Sequence, residues 1–209
     1  YILAEGAKIS QAHRQRGFKR VNMNTKKTSL YNLHKDKGAK FVEFAGYEMP
    51  IQYSQGIISE HNFTRSKSGI FDVSHMGQLF LKGGDDLTEK LQKIFPTDLK
   101  KLNVNQSKYS FLMKENGGIY DDLILTKLRD GFMIILNAAC KYNDLKIIKT
   151  RLNDNSLELN ESLSLIAIQG PESKYVLEKI IKDVTKLKFM YGDEFEFEND
   201  KIFITRSGY

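Results

Sequence analysis

The chain has 209 residues, 41% of them hydrophobic and 28% charged, which is enough for one large globular domain or two small ones. No apolar run reaches the ~18–20 residues of a membrane span, and a single cysteine, Cys140, excludes an internal disulfide framework and fits a reducing compartment. The formal charge of +6 invites a nucleic-acid reading, but Lys8, Arg14, Arg16, Lys19 and Arg20 stand against the lone acid Glu5 in residues 1–22. That tail holds +4 of the total and leaves +2 for the rest, whereas a nucleic-acid module clusters its basic residues on the folded surface.

Residues 1–22 lack the hydrophobic periodicity of a packed element, and Met23-Asn24-Thr25-Lys26-Lys27 reads as a natural start. The tail is therefore expected to be a non-native upstream extension or, being Arg-bearing and acid-poor, a targeting segment. The domain proper is expected over 23–209. Thr28 or Ser29 can cap a short helix through Leu30 and Leu33 that Gly38 closes. Ala39 to Phe44 reads as a strand, and Ala45 to Pro50 as an irregular apolar loop. Gly56 to Ser68 has helical spacing at Ile57, Ile58, His61 and Arg65 and is stopped by Gly69. Gln78 to Lys82 is a strand. Asp85 or Asp86 caps a helix with Leu87, Leu91 and Ile94 on one stripe, ending before Pro96.

Three strands should follow as an antiparallel meander over 109–113, 119–128 and 132–137, joined by Asn116-Gly117-Gly118 and Arg129-Asp130-Gly131. A helix over Lys141 to Leu152 comes next, then the buried strand Leu163 to Ile168. Pro171 is placed to open a helix carrying Val176, Leu177, Ile180 and Ile181. A last hairpin, 194–198 with 201–206, ends as the chain stops, so both ends of the sequence read as cut. Strands and helices mix without strict βαβ alternation. The expected class is α+β, with mixed, largely antiparallel sheets and flanking helices. His13, His34, His61 and His75 are scattered and no cysteine pair exists, so no metal-site spacing is present.

The segment Asn116-Gly117-Gly118-Ile119-Tyr120-Asp121-Asp122-Leu123 is the most informative stretch. It puts two adjacent carboxylates at the mouth of a hairpin and follows them with an apolar strand. Successive strand side chains point to opposite faces, so one aspartate should look inward and the other should be solvated. An inward carboxylate at the edge of an apolar sheet suits proton handling or orientation of a basic ligand nitrogen; two ordinary surface aspartates on a turn are the plainer alternative. Cys140 reads as a small hydrophobe beside Ala138 and Ala139.

Four segments together resemble the aminomethyltransferases, the T proteins of the glycine cleavage system. They are Phe44-Ala45-Gly46-Tyr47-Glu48-Met49-Pro50 with Gln52-Tyr53; Gly69-Ile70-Phe71-Asp72-Val73-Ser74-His75-Met76-Gly77; the Asn116–Leu123 stretch; and Ala167-Ile168-Gln169-Gly170-Pro171. They stand in the family's order and cover 28–209. Tyr47 replaces a tryptophan common in that loop. Thr205-Arg206-Ser207-Gly208-Tyr209 is similar to the opening of a further motif.

The resemblance implies a three-domain, clover-like fold around a folate pocket, here truncated at the C-terminus. It implies transfer of an aminomethyl group from the lipoyl arm of H protein to tetrahydrofolate, with release of ammonia. Asp122 matches the family's catalytic acid, which leaves Asp121 outside. Met76 and Tyr209 match folate-contacting positions, Tyr109 is placed either to stack on the pterin or simply to pack, and Asn137 to bond its edge. His75 has no role in the family and reads as a structural loop residue. The family's later pterin-binding glutamate and arginines would lie past Tyr209, so the fragment alone is expected to be inactive.

The implied partners are lipoylated H protein and tetrahydrofolate, with no nucleic acid and no membrane, and the implied state is a monomer. The compartment would be a bacterial cytoplasm, or the mitochondrial matrix if the tail is a transit peptide. Alternatives on the same fold are a folate-dependent demethylase, the folate-binding part of a dimethylglycine or sarcosine dehydrogenase, and a non-catalytic folate-binding scaffold.

Overall fold

The structure, a computed structural model, describes residues 25–208. The tail over 1–22 and the candidate contact Tyr209 lie outside the described residues.

The described chain opens with helix α1 (Tyr31–Asp36), then the antiparallel pair β1 (Lys40–Phe44) and β2 (Tyr47–Gln52). Neither Thr28 nor Ser29 caps α1; Leu30 occupies that position, and the Thr28 main-chain carbonyl accepts the Tyr31 N–H instead. The segment expected to be an irregular loop is strand β2. Its strand signal is the alternation that buries Tyr47 and Met49 and turns Glu48 and Pro50 outward. Pro50 is tolerated because the sheet has only two strands, where a missing N–H need not break a ladder.

Helix α2 (Ile57–Ser66) buries none of its residues, and Ile57, Ile58 and Phe63 stand exposed beside Ile70 and Phe71 of β3 (Gly69–Asp72). After β4 (Gly77–Lys82) comes α3 (Asp85–Gln92), whose cap position is Gly84; Asp85 and Asp86 fill its first turn, where carboxylates meet the positive end of the helix dipole. A 3₁₀ turn, Leu99–Lys101, leads to β5 (Ser107–Met113), β6 (Ile119–Leu128) and β7 (Gly131–Leu136). These three form the expected meander, and β4 joins its far edge to give a four-stranded antiparallel sheet in the order β4-β7-β6-β5.

Helix α4 (Lys141–Leu152) has the expected bounds and ends on left-handed Asn153. Strand β8 (Ile166–Gln169) pairs with β3, from which it is separated by about a hundred residues of chain. Pro171 does not open the next helix. It sits in a turn, and α5 (Ser173–Glu178) starts two residues later, with the Ser173 N–H and hydroxyl both donating to the Gly170 carbonyl. Gly170 takes φ +112° because a side chain there would strike the carbonyls of Thr64 and Lys67 at the end of α2. The hairpin β9 (Tyr191–Phe197) and β10 (Asp200–Arg206) closes the described chain. The α+β class with antiparallel sheets and flanking helices holds throughout.

Strand alternation divides the apolar residues of the sheet. Leu79, Leu81, Leu112, Leu123, Leu125, Phe132, Ile134 and Leu136 face α3, the 3₁₀ turn and α4, where Leu91, Leu99 and Ile148 cover them. Ile124, Met133 and Ile135 face the other way, against Val73, Leu165 and Ala167. Burying side chains of this kind contributes about 1.5–3 kcal/mol each, so the helix-covered face supplies most of the stability of the sheet.

Candidate active site

The site begins at the β5–β6 hairpin. Asn116, Gly117 and Gly118 form its turn; Gly117 has φ +84°, the Lys114 N–H donates to the Gly118 carbonyl and the Gly118 N–H to the Asn116 side chain. This fixes the register in which Asp122 lies opposite Phe111 and Asp121 opposite Leu112. The two aspartates therefore fall on opposite faces. Asp122 shares the open face with Ile124 and Tyr109 and is exposed. Asp121 turns to the helix-covered face.

That is a correction to the expected arrangement, in which Asp121 would be outside. Asp121 is half-buried, its Oδ2 is wholly enclosed with no donor, and it lies in contact with Asp144 of α4. The apolar face runs out at the end of β6, and α4 brings a carboxyl rather than a hydrocarbon to meet it.

Asn137, the residue after β7, joins the two. Its Nδ2 donates to Asp121 Oδ1 at 3.0 Å, to the Asp122 carbonyl at 3.0 Å and to Asp122 Oδ1 at 3.1 Å. Three acceptors surround this atom, so the amide orientation follows from its neighbours. The Asn137 carbonyl meanwhile accepts the Cys140 and Lys141 N–H groups that start α4. One residue thus ties the helix start to both carboxylates.

Met76 and Tyr109 both pack against the apolar cluster of the open face. Met76 ends the loop after β3, and that loop is pinned from three sides. Asp72 is buried, accepts the Ser74 N–H at 3.0 Å through Oδ1, and meets His34 Nε2 at 3.1 Å through Oδ2. An ionised Asp72 needs a donor, so Nε2 carries the imidazole proton and Nδ1 accepts the Tyr53 hydroxyl at 2.7 Å. Burial pushes the Asp72 carboxyl up, but the hydrogen bonds with Ser74 and His34 help to outweigh it and hold the group below its ordinary value. The Ser74 hydroxyl exchanges hydrogen bonds with the main chain of Leu165, and buried Lys141 donates to the His75 carbonyl at 3.0 Å and to the Tyr47 hydroxyl at 2.9 Å.

His75 itself is buried against Phe44 and Tyr47, and desolvation pushes its imidazole below the ordinary value. A buried, neutral ring with no carboxylate bonded to it is a packing residue. Met76 also lines a cleft of about 280 Å³ with Lys26, Tyr47, Lys141 and Glu161.

The fold therefore gathers Asp122, Tyr109, Asn137 and Met76 on one side of the sheet. Sequence reasoning passed over Phe111, which lies directly across from Asp122 and is exposed, although its alternation with Tyr109 was legible. It also passed over His34, a helix-end residue with nothing in its local pattern to single it out, and Asp144. For Asp144 a signal existed. Lys141, Asp144 and Ile148 fall on one stripe of α4 and all are buried, so two charges occupy the face a helix normally reserves for apolar side chains. Cys140 is half-buried, and desolvation together with Asp121 and Asp144 pushes its thiol up to about 11. No group of three or more metal-binding side chains occurs among the described residues, and no helix there is long and apolar enough to cross a membrane.

Comparison with known proteins places this arrangement. Residues 30–209 match the family described as GCVT N-terminal domain. The mitochondrial aminomethyltransferase of Dictyostelium discoideum is 40% identical over 213 residues, covering 97% of this chain and 52% of that protein. A probable mitochondrial aminomethyltransferase of Schizosaccharomyces pombe is 41% identical, covering 90% of this chain and 50% of its own length. The crystal structure of glycine cleavage system aminomethyltransferase T from Bartonella henselae superposes with a TM-score of 0.75 at 39% identity, over 88% of this chain and 50% of that one. The chain spans about half the length of the relatives it matches. With four-fifths and more of its residues inside the match, the chain belongs to the GCVT N-terminal domain family.

Proposed function

We propose that this chain supplies the catalytic carboxylate and one wall of the folate site of a glycine-cleavage aminomethyltransferase. The reaction moves the methylene of an aminomethyl group from the lipoyl sulfur of H protein to tetrahydrofolate. The bonds from carbon to sulfur and to the amine break, and two bonds to folate nitrogens form. The two nitrogen-borne protons leave with the products, one on the lipoyl thiol and one on ammonia, so no oxidant or reductant is required.

The observation that carries the reading is the exposed Asp122 carboxylate on the open face of the sheet, held through Oδ1 by Asn137 and bordered by Tyr109, Phe111 and Met76. A carboxylate in that setting accepts the N–H of a neutral ring nitrogen, orients its lone pair, and stabilises the positive charge that develops there as the nitrogen attacks the carbon. Tyr109 and Phe111 offer aromatic faces for a flat heterocycle. Tyr209 is the matching contact at the end of the sequence. The lipoyl arm reaches the carbon from a transiently docked H protein. The relatives include a protein named mitochondrial and bacterial ones, so both compartments fit.

The test is Asp122→Asn in the complete protein. Aminomethyl transfer should fall by at least about 10²-fold while tetrahydrofolate binding is largely kept, because the amide preserves shape but not charge. Unchanged turnover would sink the assignment.

A further inference from the structure

The group that the proposed chemistry leaves without a task is Asp144. It is 1% exposed, and neither of its carboxyl oxygens finds a donor among the described residues. It is in contact with Asp121, whose own Oδ2 is buried and equally without a donor. Two enclosed carboxyl groups facing each other cannot both be ionised without a large desolvation and repulsion cost. A single proton between them supplies the missing donor and satisfies both at once. Asp121 already accepts the Asn137 amide through Oδ1, and Asp144, the more deeply buried of the two, is the member assigned the proton.

The remaining neighbours agree with this assignment. The groups acting on Asp144 are Asp121 and the adjacent Asn143 amide, neither of them a cation. The Cys140 thiol, in the turn before α4, lies against Asp121 and stays protonated. Desolvation first, and Asp121 second, push Asp144 up to about 7.

We propose that Asp144 is a positioning residue for Asp122: its carboxyl donates a shared proton to Asp121, Asp121 thereby stays in place to accept the Asn137 amide, and Asn137 holds the Asp122 carboxylate. The inference rests on the reading of Asp122 as the reacting carboxylate, but the relay itself exists in the resting protein. It joins an acid buried beneath α4 to the exposed one through two hydrogen bonds of 3.0 and 3.1 Å made by a single amide nitrogen. Loss of the proton would set Asp121 and Asp144 against each other and draw Asn137 away from Asp122.

The relay is read first without substrate. In the full chain labelled with ¹³C at aspartate carboxyls and ¹⁵N at asparagine amides, one carboxyl should titrate near neutrality, and the Asn137 side-chain amide should shift with the same midpoint. Asp144→Asn replaces the O–H donor by an N–H donor that does not titrate, so both transitions should vanish while the Asn137 amide stays near its acid-form position. Asp144→Val removes the donor and should move the Asn137 amide at every pH. The inference is overturned if every aspartate titrates below about pH 5, or if the Asn137 amide ignores both substitutions. In the complete protein, Asp144→Asn should flatten the neutral limb of the kcat profile, and Asp144→Val should lower kcat on the order of 10- to 100-fold with KM little moved. Because the titration needs no turnover, its success alongside an active Asp122→Asn protein would condemn the functional reading and not the relay.

Discussion

The two faces of the four-stranded sheet come from the same residues taken alternately, and they do different work. The face under α3 and α4 buries Leu79, Leu112, Leu125, Ile134 and Leu136 completely. The open face leaves Phe111 at 43% exposure beside Asp122 and is only partly covered, by the 73–76 loop, β8 and Phe203. A period of two lets one strand spend its odd positions on stability and its even positions on a surface for chemistry. If Asp122 has the role proposed for it, activity and stability are separated at the scale of adjacent residues.

Breaking the covered face should have the largest effect. Leu125→Ala should cost about 2–5 kcal/mol in denaturant unfolding, through lost burial and the cavity left behind. Ile124→Ala, one residue along on the open face, should cost clearly less because its side chain is more exposed and its surroundings can relax. Equal losses at the two positions would erase the distinction between the faces. Gly131→Ala should approach the Leu125 effect. A Cβ there would fall 1.8 Å from the Leu81 carbonyl across the β4–β7 ladder, at φ +154°, so either the turn or the strand pairing must give, at about 3 kcal/mol.

The faces should also respond to pH with opposite signs. On the open side, Asp72 and His75 have values depressed on folding. Each contributes stability that is present above its unfolded value and is lost as pH falls through its folded value: near and below neutrality for His75, in the acid range for Asp72. On the covered side Asp144 is raised, so its contribution is complete below the unfolded carboxyl value and is lost as pH rises through about 7. Denaturation midpoints measured from about pH 2 to 9 should show both limbs. Asp144→Asn should remove the alkaline loss and leave the acid loss, whereas Asp72→Asn should keep the alkaline loss and remove only the carboxylate part of the acid loss, leaving the His75 part. A single variant that flattened both limbs would show that the two faces titrate as one unit.

How much of this was legible in sequence follows from the range of the interactions. The hairpin at Asn116-Gly117, the meander and α4 are set by turn chemistry and local periodicity, and they were read with nearly the observed bounds. Strand β2 reads as a loop in sequence because Pro50 masks an alternation only three residues deep. Strand β3 was missed because its pairing with β8 comes from far along the chain, and no local pattern announces it. In the site, alternation separated Asp121 from Asp122 but could not say what lay on either side. Asp144 meets Asp121 only because Asn137 turns the chain from β7 into α4, a tertiary consequence. Its one sequence trace, two charges on a helical stripe, is as common on solvated helices as on buried ones.

The smallest expected effect sharpens the comparison most. Asp122→Asn should change unfolding free energy by no more than about 0.5 kcal/mol, since Asp122 is exposed and an asparagine oxygen can still accept the Asn137 amide. Asp121→Val, one residue earlier, should be clearly destabilising, because it removes the acceptor of the Asn137 amide and leaves the buried Asp144 carboxyl without its partner. Stability curves for the two variants at pH 6 and pH 8 would read the division of labour directly: one aspartate whose loss costs the reaction and spares the fold, and one whose loss reaches the reaction only through the fold. If Asp122→Asn were the more destabilising of the two, the assignment of faces to roles would have to be exchanged.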